Sequence, residues 1–170
     1  MKGGSPKVDQ MSDRLRPLWD FDDPDGSERR FDEQLHAESS DPGRAEVLTQ
    51  LARVQGLRAK FAEGDLLIDQ ARALSDGSAV VEARIHLERG RLRNSSGVAA
   101  SALPMFEAAF EIAVHGSEQF LAADAAHMAA LASPDRDGKL KWTERGIRIA
   151  AESSDREVAY WLGPLYNNLG

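Results

Sequence analysis

The chain contains no cysteine. That excludes disulfides, a thiol nucleophile and a thiolate-bound metal, and it fits a reducing compartment. Aromatic residues make up only 6% of the chain, so the core has to be assembled from Ala, Leu, Val and Ile, which suits closely packed helices better than a β-sandwich. No apolar run approaches the ~20 residues of a transmembrane helix. Met1 to Gln10 carries Lys2 and Lys7 but none of the apolar stretch a secretory signal needs. A cytoplasmic chain that does not enter membranes is therefore expected. Positive charge is in deficit: 21 Lys and Arg face 28 Asp and Glu, for a formal net charge of −7. Nucleic acid is a poor partner for such a chain, because phosphate binding requires a basic face. Also missing are the period-2 alternation of strands, a Gly-rich phosphate loop, a Gly-x-Ser-x-Gly elbow and a His-Glu-x-x-His pair.

What is present is a repeat. A small residue is followed by a large apolar one, then Ala or Gly, then another large apolar residue, and the set returns about every 37 residues, a period that marks stacked helical hairpins. The copies are Gly64, Ile68, Ala71, Leu74; Ala102, Phe106, Ala109, Ile112; and, more weakly, Lys139, Thr143, Gly146, Ile149. Small residues have a physical task here, since two helices approach to about 8–10 Å where the side chains at their crossing are small.

Along the chain, residues 1–14 are Gly-, Ser- and Lys-rich and are expected to be disordered. Residues 15–44 read as a docking segment, with Trp19 and Phe21 covering the first helix pair, then a helix from Glu28 to Glu38 capped by Ser27. Residues 45–170 read as helix after helix, in pairs spanning 45–78, 83–116 and 118–153 with a partial repeat at 156–170. In the second pair Pro104 is expected in a first helical turn, where its missing N–H costs little. In the third, a helix from Lys139 to Glu152 is expected to point Leu140, Ile147 and Ile149 inward.

These residues resemble the tetratricopeptide repeat (TPR). The match is carried by Phe61-x-x-Gly64-x-x-x-Ile68-x-x-Ala71 in the first repeat and by Gly90, Gly97, Ala102, Phe106 and Ala109 in the second. The ending Leu165-Tyr166-Asn167-Asn168-Leu169-Gly170 looks like the first half of a further repeat's opening helix. The run also resembles a group of bacterial TPR proteins without an assigned activity, through Leu18-Trp19-Asp20-Phe21-Asp22-Asp23-Pro24, Leu87 to Gly97 and Asp124-Ala125-Ala126-His127-Met128. The resemblance implies an all-α fold: a right-handed superhelical stack of antiparallel helix hairpins, a TPR-like α-solenoid of about 7–8 helices. Two readings of the chain's end then stand: a fragment of a longer protein whose end exposes apolar surface, the one preferred here, or a last helix that is itself the cap.

In the family's register, the first helix of each repeat lines a concave face. The positions that fall there are Thr49, Arg53, Arg84, Leu87, Arg91, Asn94, Asp124 and Met128. Arg84 and Arg91 share one helix face at i, i+7, and with Arg53 they offer three guanidiniums suited to carboxylates. The plainer reading, preferred here, is a solvated face with ion pairs to Glu82 and Glu88. The Lys and Asn pattern of the TPRs that clamp chaperone tails is not reproduced. Asp124 and His127 stand at i, i+3, but no matching ligand pair is nearby in sequence, so a core histidine hydrogen-bonded to a neighbouring helix is the better reading. The acidic cluster Asp20, Asp22, Asp23 and Asp25 lacks the EF-hand spacing and reads as a turn with helix-terminal charge.

The expectation is therefore a non-catalytic module that takes a peptide or partner protein in its concave groove. No enzyme activity, cofactor, metal, nucleic acid or membrane is implied. The alternative is structural: self-association as a homodimer through Trp161, Leu162, Leu165 and Leu169. A third class is an enzyme or small-molecule sensor with its ligand between the Trp19/Phe21 segment and the first hairpins; a large closed pocket lined by convergent polar groups would favour it.

Overall fold

The computed structural model describes residues 13–170, and among them there is no strand. The expectation for residues 1–12 lies outside the described residues. A 3-10 turn (Arg16–Leu18) is followed by α1 (Pro24–Ala37), α2 (Asp41–Leu57), α3 (Phe61–Ala73), α4 (Ala79–Ser95), α5 (Ala99–His115), α6 (Gln119–Ala132), α7 (Arg136–Glu152), α8 (Arg156–Ala159) and α9 (Leu162–Asn167). The helices pack in neighbouring pairs: α2 with α3, α4 with α5, α6 with α7. The first members of these pairs, α2, α4 and α6, also touch one another in sequence. No helix among the described residues is long and apolar enough to cross a membrane.

Local chemistry sets the boundaries. Asp23, Ser40 and Asp135 each cap a helix by accepting the N–H of a glycine three residues on, Gly26, Gly43 and Gly138. The helix expected from Glu28 therefore starts earlier, at Pro24, because proline fits the first turn and Asp23 supplies the cap. Ser27 is buried instead. Its hydroxyl donates to the carbonyl of Asp20 and accepts the Asp20 N–H, both at 2.8 Å, closing the acidic turn. Helix α5 begins at Ala99, so Pro104 stands in its second turn rather than its first. The helix tolerates it because Ala100, whose carbonyl loses its partner, is exposed to solvent.

The small positions sit at crossings. A Cβ added to Gly90 would lie 2.6 Å from the Phe106 ring, and one on Gly146 would lie 2.6 Å from Leu165. Helix α6 lies between α5 and α7, and its alanines at 122, 123, 125, 126, 129 and 130 are all buried, which lets helices close on it from several sides. Two apolar clusters result. One joins Leu15, Phe31 and the inner faces of α2, α3 and α4. The other runs from α4 through α7 to Val158, Trp161 and Leu165. Leu140, expected inward, is 43% exposed; the buried stripe of α7 is Trp142, Thr143, Gly146 and Ala150, and Leu140 falls to one side of it.

Candidate functional site

A cavity of about 270 Å³ opens where α2, α4 and α6 meet the two ends of the described chain. Gln50 and Arg53 come from α2; Arg84, Glu88 and Arg91 from α4; Phe120, Asp124, His127 and Met128 from α6. The N-terminal segment adds Asp13, Arg16, Trp19 and Phe21, and the C-terminal segment adds Tyr160, Trp161 and Pro164.

The N-terminal segment is tied across this face by specific contacts. Asp13 accepts from Arg84 at 2.6 Å. The Trp19 indole N–H donates to Gln50 Oε1 at 2.9 Å. Trp19 stacks on Phe21, with ring centroids 4.8 Å apart, and meets Phe31 edge-on. The Arg16 guanidinium lies 4.5 Å from the ring centre of Tyr160 and 5.5 Å from that of Phe120. Arg14 reaches Glu38 at 2.6 Å and Glu46 at 3.1 Å. Asp13 and Arg14, grouped at the sequence level with the terminal tail, are thus held in the structure.

The arginines of the site differ in what surrounds them. Arg84, only 3% exposed, lies between Asp13 and Glu46. Burial opposes its charge, but those two carboxylates outweigh it and hold its pKa above the ordinary value. Arg91 is treated the same way by Asp124 and Glu88. Arg53 makes no ion pair among the described residues. Its guanidinium rests 4.9 Å from the centre of the Phe21 ring and 5.2 Å from that of Trp19, an attraction between a cation and the negative ring face. Burial, reinforced by the nearby Arg91 charge, pushes its pKa down.

Two residues that line the cavity each carry a buried polar atom with no hydrogen-bond partner among the described residues: Oε2 of Glu88 and the indole Nε1 of Trp161. Buried polar groups are as a rule hydrogen-bonded, so each such exception calls for an explanation. His127 pairs with the Asn168 side chain at 3.1 Å and lies 5.6 Å from the Trp161 ring. Burial lowers its pKa, with Asp124 acting in the opposite direction. No group of three His, Asp or Glu side chains suited to a metal occurs among the described residues.

Of the positions assigned to a concave face, Arg53, Arg84, Arg91, Asp124 and Met128 line this cavity. Thr49 and Leu87 are fully buried, Thr49 donating to the Glu46 carbonyl at 2.6 Å; neither they nor Asn94 reach it. Arg91 does pair with Glu88, but Glu82 accepts from Ser75 instead of an arginine. Of the four residues assigned to self-association, Trp161 and Leu165 are packed into the chain's own core and Leu162 against it, because α9 lies on α7. Only Leu169 is well exposed, at 48%.

Sequence reasoning passed over Gln50, Arg16 and Phe120. It took Glu88 as an ion-pair partner of the helix's arginines, one turn from both Arg84 and Arg91, but on a solvated face, whereas Glu88 is buried. The roles of Tyr160 and Trp161 in the cavity depend on how the C-terminal segment folds back, which local spacing does not encode. Compared with protein-family models the chain matches none, and no curated protein matches it.

Proposed function

We propose that the chain is a non-catalytic binding module that recognises a partner protein or peptide through this cavity, working in the cytoplasm on a TPR-like superhelical stack of hairpins. The carrying observation is that successive first helices α2, α4 and α6 bring Arg53, Arg91, Asp124 and Met128 to one cavity, with Arg53 free of any ion pair among the described residues. A groove built from first helices is the arrangement by which helical repeats bind. The size of the cavity suits a side chain or a chain end, not a docked helix.

The arginine pairings decide which variant tests this. Arg84 and Arg91 neutralise buried carboxylates, so changing them perturbs the fold. Arg53→Glu reverses charge at a side chain that makes no ion pair among the described residues, although Glu88, Asp124 and Asp13 lie within electrostatic reach. A protein captured from native lysate by the parent chain, and lost with Arg53→Glu at unchanged helicity, is the expected result. Identical captured sets from both chains would overturn the reading.

A further inference from the structure

We propose that the cavity is a site for a small zwitterion of amino-acid size, bearing a carboxylate, an ammonium group and an apolar side chain. This goes beyond the reading above: it gives the same cavity a free small ligand in place of a partner protein or peptide. The Arg53 guanidinium is held on the ring faces of Trp19 and Phe21, and its in-plane N–H donors, which have no acceptor among the described residues, suit a planar acceptor; a carboxylate matches them in pairs. The Trp161 indole N–H, 9% exposed as a residue, is a second donor with no acceptor among the described residues. Glu88 supplies the opposite requirement. It is 1% exposed, its Oε1 accepts from Arg91 at 2.7 Å, and its Oε2 has no donor among the described residues. A ligand ammonium group provides that donor together with a compensating charge.

Alternatives fit less well. A multiply charged anion such as a phosphate would lie beside the carboxylates of Glu88 and Asp124, whereas a carboxylate carrying its own ammonium is neutral overall. The volume, about 270 Å³, falls just below the usual range of roughly 300–1,000 Å³ for small-molecule pockets and excludes a dinucleotide. The aromatic lining, Tyr160 included, offers apolar contact for a side chain.

The test uses isothermal titration calorimetry on the full chain. Its probes are the twenty free L-amino acids, with 3-phenylpropionate (acid only), phenethylamine (amine only) and N-acetyl and amide derivatives of the best binder. Expected is saturable binding of at least one apolar or aromatic amino acid. Analogues lacking either charge should bind at least about tenfold more weakly, as the loss of one charge-assisted hydrogen bond implies. Arg53→Gln should weaken binding by a similar factor at unchanged helicity. Glu88→Gln should erase the preference for the ammonium; where it fails to fold, the amine-free analogues report the same contact on the unaltered chain. Absence of binding by every free amino acid at 10-millimolar order, or equal binding of the acid-only analogue, would overturn the proposal. A lysate partner that depends on Arg53, alongside silent amino acids, would sink this inference and leave the broader reading standing. Tighter binding of the acetylated form would likewise overturn it, in favour of a peptide end.

Discussion

Replacing Gly90 by alanine tests the crossing of α4 and α5 directly. In an unobstructed helix the change stabilises by about 1 kcal/mol, because glycine is the poorer helix former. At Gly90 the new methyl would sit 2.6 and 2.8 Å from two carbons of the Phe106 ring. Phe106 is fully buried, so the whole ring must move within a packed core, and overpacking of this kind costs about 1–3 kcal/mol. The two effects together predict a net loss of up to about 2 kcal/mol. Gly163 is the control: it is helical and exposed, and nothing lies within 4 Å of an added Cβ, so Gly163→Ala should be neutral or mildly stabilising. Urea unfolding at constant m-value reads both. Combining Gly90→Ala with Phe106→Leu should show coupling of about 1 kcal/mol, since the smaller side chain makes room for the methyl. If Gly90→Ala stabilises as much as Gly163→Ala, or the double variant is additive, the close crossing of α4 and α5 is wrong.

Arg84→Gln leaves buried Asp13 and Glu46 without their shared cation and should cost about 3 kcal/mol or more, whereas Arg53→Gln loses only ring-face attraction and should cost about 1 kcal/mol or less; urea midpoints of the two variants check this, and equal losses would refute the distinction. Leu165→Ala empties the space over Gly146 and should destabilise by about 2–5 kcal/mol, measured by thermal melting; a loss near zero would mean that α9 does not pack on α7. Ala59 holds a left-handed backbone at φ 58°, so Ala59→Gly should stabilise by about 1 kcal/mol, read from the same melts. Burial holds the pKa of both His86 and His127 below the usual value. The unfolded chain therefore takes up protons near pH ~6.5 and the folded chain only below that, so stability should be level above that pH and fall as pH drops through the lowered folded values. Urea midpoints at pH 7.5 and 5.5 check the sign, and His127→Gln should flatten part of the slope.

The helical part of the chain was legible because its signal is local. Gly64, Ile68 and Ala71, and Ala102, Phe106 and Ala109, are all buried. Even the weak third copy falls in the same register: Thr143 and Gly146 are buried and Ile149 half-buried, and only Lys139 points out. What was not legible is what joins distant residues. The Asp13–Arg84 pair spans 71 positions and Arg91–Asp124 spans 33, while spacing arguments looked for partners one turn away. Trp161 and Leu165 read as an exposed edge because a short segment rich in large apolar residues has no periodic pattern to show which way it folds; α8 and α9 turn them inward.

The same geometry changes what the arginines mean. From spacing alone Arg53, Arg84 and Arg91 are three equivalent cations along one groove. Their neighbours separate them. Arg84 and Arg91 each lie between two carboxylates that are largely withdrawn from water, and their charge is consumed in making those burials tolerable. They hold α2, α4, α6 and the N-terminal segment in register. Arg53 lies against ring faces and makes no ion pair among the described residues, and burial and Arg91 disfavour its charge more than Glu88, Asp124 and Asp13 favour it. A cation kept in such a position gains most from an anion supplied from outside. Charge reversal at Arg84 or Arg91 therefore reports on the fold, and charge removal at Arg53 tests the proposed recognition.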